Sequence, residues 1–336
     1  SKQEGTLTVT NREAKYEITV KANSATATYD GKEHEAVGVE TYEFTVEGNS
    51  YTVSGLSTED PKQKDAGSYT NNITGTPVVT DKEGNVVTSE FEVKTENGSL
   101  TITPRQVNLT SESASKPYDG TPLTRPSVTG GDGFVAGEVT DIRATGSVTN
   151  VSEGEVTNTI TYTTGEKFNA DNYNITREEG RLSITASQEK VTVTITGHTN
   201  TEKYDGTPKK AEGYEAVIAS DSGLYKEADF SFSGTAEVEK TDAAETAYPM
   251  GLAAGQFKNT NTNFANVEFV VTDGALTITP RQVILTSATD EKVYDGTPLT
   301  NHNVTVSGDG FAAGEGAAYE VTGTQTDSGS SDNTFT

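Results

Sequence analysis

The tripeptide Tyr-Asp-Gly occurs four times in this 336-residue chain, at Tyr29-Asp30-Gly31, Tyr118-Asp119-Gly120, Tyr204-Asp205-Gly206 and Tyr294-Asp295-Gly296. The intervals are 89, 86 and 90 residues. A period of that size, with the same strand-like runs around each copy, means tandem domains rather than one large fold. An aliphatic residue lies nine positions before each Tyr: Val20, Leu109, Ile195 and Leu285. Three copies close on a glycine followed by an alternating run: Gly98-Ser99-Leu100-Thr101-Ile102-Thr103, Gly180-Arg181-Leu182-Ser183-Ile184-Thr185 and Gly274-Ala275-Leu276-Thr277-Ile278-Thr279. Period-two alternation of aliphatic and Thr predicts strands with one buried and one wet face. No stretch carries a convincing helical period.

The repeats fall at 15–104, 105–186, 187–280 and 281–336, the last one truncated, with residues 1–14 read as the closing strand of a preceding repeat. Two flavours alternate. Repeats 2 and 4 share Tyr-Asp-Gly-Thr-Pro-Leu-Thr (118–124 and 294–300) and a Gly-Asp-Gly-Phe turn (131–134 and 308–311). Repeats 1 and 3 both end in Thr-Ile-Thr-Pro-Arg-Gln (101–106 and 277–282). Linkers are nearly absent, and Pro104 and Pro280 stiffen the two junctions by fixing φ and removing a donor. The expected architecture is a rod of all-β, immunoglobulin-like sandwich domains, with a β-grasp repeat as the alternative.

Charge narrows the function classes. A net charge of −25 and a pI near 4.4 exclude a duplex nucleic-acid binder and disfavour docking on anionic lipid. The absence of cysteine removes disulfide and thiolate chemistry. No apolar run approaches the roughly 18 residues of a membrane span, so no direct membrane insertion is expected of this segment.

The Asp-Gly pair supplies a tight turn, and the Tyr is expected to pack its ring inward and offer its hydroxyl to a nearby backbone carbonyl. A carbohydrate contact at each turn is the functional alternative. His34, His198 and His302 fall at different offsets from their Tyr-Asp-Gly, so they form no repeated active site and read as solvated loop residues; no enzyme activity is expected. Asp60, Asp81, Asp132 and Asp309 are the turn carboxylates that a Ca²⁺ at a domain junction would use. None of their loops has the spacing of a dedicated site, and no cofactor is expected. Asp65-Ala66-Gly67-Ser68-Tyr69 resembles the tyrosine corner of immunoglobulin-type sandwiches, whereas Asp242-Ala243-Ala244-Glu245 lacks the glycine.

Tyr-Asp-Gly-Thr-Pro-Leu-Thr, the middle segment 146–154, Asn172-Tyr173-Asn174-Ile175 and the closing segment 180–185 together resemble the MBG-type repeats of bacterial surface proteins. Repeats 2 and 4 match well; repeats 1 and 3 match mainly at the opening turn and closing strand. The resemblance implies a secreted or wall-attached, Gram-positive-like protein in which this segment is a stalk or spacer. It brings no catalytic residues. Its implied partners are neighbouring repeats of one long chain, and other copies if the chain builds a fibre. A module binding host glycan or protein, or a filament subunit, is the alternative.

Residues 4–10 and the end of repeat 4 at Thr336 read as a window onto a longer chain. A less favoured alternative is that residues 4–10 of one molecule complete repeat 4 of another, although the Asn-Tyr-Asn-Ile strand would still be lacking.

Overall fold

Leu100, Leu182 and Leu276, the middle aliphatic residues of the three closing runs, are completely buried, and each run is a strand whose alternate side chains face inward. The computed structural model describes residues 1–10 and 13–336. Among them every regular element is a strand or a three-residue 3-10 turn. Among the described residues no helix is long and apolar enough to cross a membrane. The protein is therefore all-β, as its alternation predicts.

The chain divides into two compact units. One holds residues 1–115, 122–148 and 155–183; the other holds 116–121, 149–154 and 184–336.

In the first unit the opening strand Tyr16–Lys21 pairs in parallel with Phe91–Glu96. The chain then steps sideways and continues as Ala25–Thr28, parallel to the closing strand Gly98–Thr103, which also pairs antiparallel with Gly67–Asn71. Repeat 2 copies this plan: Arg105–Ser111 runs parallel to Tyr173–Glu178, and Gly180–Thr185 lies antiparallel to Val156–Asn158. Parallel neighbours need a long crossover, and here the body of each repeat serves as one.

The second unit repeats the arrangement with Ser187–Gly197 parallel to Phe264–Thr272 and Thr199–Lys203 parallel to Ala275–Thr279. Within residues 281–336 the pairing is sparser. Val283–Ser287 pairs antiparallel with Val304–Gly308, and isolated bridges join Leu299 to Gln325 and Val321 to Phe335.

The sideways step of the opening strand explains the glycine before each closing run. A β-carbon on Gly98 would lie 2.2 Å from the Asn23 carbonyl oxygen, one on Gly180 2.2 Å from that of Glu112, and one on Gly274 2.5 Å from that of His198. Only glycine allows so close a backbone approach.

A buried asparagine holds the same step. The Asn158 amide donates to the carbonyls of Glu112 (3.0 Å) and Arg125 (2.8 Å), and its Oδ1 accepts from the Gly146 N–H (3.1 Å). Asn71 donates to the Asn23 carbonyl at 3.2 Å and accepts from the Asp60 N–H at 3.0 Å. Asn333 donates to the carbonyls of Ala288 and Asn301, both at 2.9 Å. Asn71 and Asn158 are fully buried. In repeat 3 the buried Met250 stands at this place, so packing replaces the polar clamp there.

Residues 1–10 form no strand, and Leu7 and Val9 are 99% and 96% exposed. Residues 11 and 12 of the expected strand 1–14 lie outside the described residues.

Replacing Asn158 by Ala leaves two part-buried carbonyls and one buried N–H without their partner, so a loss on the order of 2 kcal/mol is expected. Asn158→Met, which copies repeat 3, should refill the volume without restoring the bonds. Thermal unfolding followed by far-UV circular dichroism reads the effect; an unchanged midpoint for Asn158→Ala would refute the clamp.

Candidate functional site: the joint between repeats

Each Tyr-Asp-Gly forms the turn expected of it. The glycines at 31, 120, 206 and 296 adopt φ of 78°, 77°, 81° and 73°. Each Asp carboxylate accepts the N–H two residues on: Lys32, Thr121, Thr207 and Thr297, at 2.8–2.9 Å. Each also meets a cationic or imidazole group, and its position follows the flavour of the repeat. In repeats 1 and 3 the partner lies four residues after the Asp: His34 at 3.0 Å and Lys209 at 2.5 Å. In repeats 2 and 4 it lies three before: Lys116 at 2.7 Å and Lys292 at 2.9 Å. The bond from Lys116 and those from Thr121 lower the Asp119 carboxyl to about 2, and Asp205 and Asp295 are lowered by the same kinds of bond from Lys209 and Lys292. His34 is thus part of its turn rather than a solvated loop residue. His198 and His302 are exposed residues outside the strands, as expected of them, and His198 Nδ1 lies 2.9 Å from the Glu212 carbonyl oxygen.

The tyrosine does not seek the backbone carbonyl expected of it. Tyr29 is 1% exposed, and its hydroxyl donates to Glu138 Oε1 of repeat 2 at 2.6 Å. Tyr173 donates to the other oxygen of the same carboxylate at 2.7 Å, and the two rings meet edge to face with centroids 5.5 Å apart. Glu138 is 2% exposed, so its charge is held mainly by two phenols. Burial, followed by the bond to Glu138, raises Tyr29 well above the usual phenol range; burial raises Tyr173 to about 12. One apolar cluster runs across the repeat boundary: Tyr29, Leu100 and Ile102 from repeat 1 with Val107, Leu109, Phe134, Ile160 and Tyr173 from repeat 2.

The two junctions between a flavour-A and a flavour-B repeat are built alike. The Tyr204 hydroxyl donates to Glu315, the counterpart of Glu138 in the fourth repeat. Arg105, directly after Pro104, donates through Nε to the Gly133 carbonyl at 2.6 Å. Arg281, directly after Pro280, donates through Nε to the Gly310 carbonyl at 2.8 Å and through Nη1 to the Tyr204 carbonyl at 3.3 Å. The Thr-Pro-Arg-Gln and Gly-Asp-Gly-Phe motifs are therefore two halves of one contact. The prolines themselves are exposed and sit between strands, as the short stiff junction requires.

An amide clamp accompanies the tyrosine. Asn172, just ahead of Tyr173, accepts the Ala66 N–H at 2.7 Å and donates to Asp65 Oδ1 at 2.8 Å. In the second unit Asn263, just ahead of Phe264, accepts the Val151 N–H at 2.8 Å and donates to Asn150 Oδ1 at 3.0 Å. There Tyr118 meets Phe264 edge to face at 5.5 Å, reproducing the Tyr29–Tyr173 pair, and Leu224 packs over Gly120. Tyr294 differs from the first three in being 64% exposed.

The tyrosine-corner segment makes its expected bond, Tyr69 hydroxyl to the Asp65 carbonyl at 3.0 Å. Repeat 3 makes it too, from Tyr248 to Asp242 at 3.0 Å, so the missing glycine is absorbed by a longer loop.

The turn carboxylates have protein partners. Asp60 accepts from Thr58 and Gly38, Asp81 from Glu83 and Asn85, and Asp309 from Lys203 and Gln282; Asp132 lies in the 3-10 turn Gly131–Gly133. Among the described residues no group of three or more His, Cys, Asp or Glu could hold a metal ion. A scan of protein-family models and a search of curated proteins found no match to the chain.

Glu138, Glu315, Arg105, Arg281, Asn172 and Asn263 are the joint residues that motif reading passed over. A signal existed for the glutamates, because each closes a Gly-Asp-Gly-Phe-x-x-Gly-Glu run.

Tyr29→Phe removes one bond to a buried carboxylate, and a loss of about 2 kcal/mol is expected. Alkaline titration adds a second readout. Tyr173 is raised to about 12 in the folded state against a free value near 10. Its contribution is therefore fully present below about pH 10 and is lost as pH rises towards 12. Absorbance at the phenolate band should show a slow, high-pH class of tyrosines that Glu138→Gln shrinks; uniform titration near pH 10 would contradict the joint.

Proposed function

We propose that the chain is a tension-bearing stalk or spacer segment of a large bacterial surface protein, built from serial immunoglobulin-like sandwich repeats of the MBG type. The observation that carries this reading is the apolar cluster shared by repeats 1 and 2, which makes the junction part of a core rather than a linker. A core resists bending and extension, whereas a Gly/Ser hinge does not.

Two further features support it. The opening and closing strands of repeats 1 to 3 run parallel, with chain entering along one and leaving along the other. Tension on such a pair pulls its strands past each other, so the interstrand bonds share the load instead of opening one by one. The acidity keeps neighbouring chains apart at high surface density. Tyrosine corners at Tyr69 and Tyr248 favour the immunoglobulin-like reading over a β-grasp repeat.

Single-molecule stretching of the whole chain tests the proposal. Unfolding should occur in discrete high-force events, each releasing on the order of 300 Å of contour for a repeat of about 90 residues. Extension at low force without such events would refute a stalk. Retention of a glycan or host protein by the folded chain would favour a binding module.

A further inference from the structure

The residue before each closing glycine has one task in repeats 1 to 3. It accepts the N–H that lies two positions beyond Asn71, Asn158 or Met250. Asn97 Oδ1 accepts the Ile73 N–H at 3.0 Å, Glu179 Oε1 the Ile160 N–H at 2.9 Å, and Asp273 Oδ1 the Leu252 N–H at 2.8 Å. A carboxylate makes the stronger bond, and repeats 2 and 3 use one.

Repeat 1 carries a neutral amide at this place. The glycine after it is fixed by the fold, because a β-carbon on Gly98 would lie 2.2 Å from the Asn23 carbonyl oxygen. An asparagine here must therefore stand in an Asn-Gly pair, and Asn97-Gly98 is the one such pair in the chain. Asparagine is a labile residue, and most so before glycine: no β-carbon shields the following N–H, and the glycine backbone turns freely into the geometry of ring closure.

The surroundings of Asn97 leave that reaction open. Asn97 is exposed and lies in the gap between the strands Phe91–Glu96 and Gly98–Thr103. The Ile73 N–H polarises its side-chain carbonyl. In repeat 2 the corresponding glycine N–H is held by a hydroxyl, Gly180 donating to Ser111 Oγ at 3.0 Å; in repeat 1 Ala22 stands at the place of Ser111.

We propose that Asn97 is a self-modifying site, at which the folded protein loses ammonia and gains a carboxylate. The Gly98 nitrogen attacks Asn97 Cγ and a nitrogen–carbon bond forms. The Cγ–Nδ2 bond breaks, and the proton from the Gly98 nitrogen leaves with Nδ2 as ammonia. Water then opens the cyclic imide at either of its carbonyls. Opening at one restores the ordinary main chain with an aspartate side chain; opening at the other routes the main chain through the β-carbon as isoaspartate.

The aspartate product copies Asp273 and keeps the bond to the Ile73 N–H. It breaks a side-chain relay, in which Asn97 Nδ2 donates to Asn72 Oδ1 at 2.8 Å and Asn72 Nδ2 donates to Glu59 Oε2 at 2.7 Å. The isoaspartate product adds a main-chain carbon directly before Gly98, where the close backbone approach leaves no room, and so displaces the closing strand from Gly67–Asn71. The inference concerns the chemistry of one repeat and is independent of the stalk reading.

Prolonged incubation of the 336-residue protein in neutral buffer tests it, with peptide mapping by mass spectrometry and ammonia release as readouts. Asn97 should convert before any other asparagine, including Asn23 and Asn49, which precede serines, and each conversion should release one ammonia. Asn97→Gln, which keeps an amide acceptor but closes the ring far more slowly, should release none from this position on the same timescale. Hydrogen exchange should be faster in Gly98–Thr103 and Gly67–Asn71 of the isoaspartate fraction and unchanged there in Asn97→Asp. Conversion of Asn97 only after unfolding in denaturant, conversion led by another asparagine, or an isoaspartate fraction that exchanges like fresh protein would each overturn the proposal.

Discussion

Burial of Tyr29 in the core of the following repeat is the contact on which the rest of the first unit depends. A repeat of about 90 residues buries only a modest apolar area by itself. Its core is further split, because the opening and closing strands step sideways at Gly98 or its counterparts. One half-core of repeat 1 gathers Ile18, Val20, Val53, Val79 and Phe91; the other, with Leu100 and Ile102, is continuous with Val107, Leu109 and Phe134 of repeat 2. The unit of packing is therefore offset from the unit of sequence. Repeat 1 and most of repeat 2 accordingly fall in one compact unit, which ends at residue 183, close to the end of repeat 2.

The two flavours of repeat make sense at this joint. Both flavour-A tyrosines find a carboxylate on a flavour-B loop: Tyr29 meets the buried Glu138, and the half-buried Tyr204 meets the exposed Glu315. The flavour-B Tyr118 instead meets Phe264 edge to face. A buried carboxylate without its phenol, or a buried phenol without its carboxylate, would leave an unpaired group in a poorly solvated place. The alternation of flavours is thus a matter of satisfied hydrogen bonds as well as shape.

Much of this was legible in the residues. The strands nine positions ahead of each Tyr, the closing strands and the Asp-Gly turns follow from local alternation and turn chemistry, even though strands such as Tyr16–Lys21 and Phe91–Glu96 pair across the length of a repeat. The tyrosine's destination does not. Tyr29 and Glu138 are 109 residues apart, and Tyr204 and Glu315 are 111 apart, so no turn rule or propensity links them. Asn71 and Asn158 were hidden for a different reason. An Asn in a Thr-rich edge looks like an ordinary polar surface residue, and only the sideways step shows the carbonyls that it must satisfy. The corner in repeat 3 was underread because a fixed spacing was expected, whereas Tyr248 reaches Asp242 across two more residues than Tyr69 needs.

The central claim is that a side chain of repeat 1 is part of the core of repeat 2. Amide hydrogen exchange on Tyr29→Ala tests it most directly, because truncating a buried aromatic costs roughly 3–5 kcal/mol wherever its packing is spent. Exchange should accelerate in the strands Arg105–Ser111 and Tyr173–Glu178 of repeat 2 as well as beside the altered residue, while Tyr16–Lys21 in the other half-core of repeat 1 stays protected. Acceleration confined to repeat 1, with repeat 2 unchanged, would contradict a shared core.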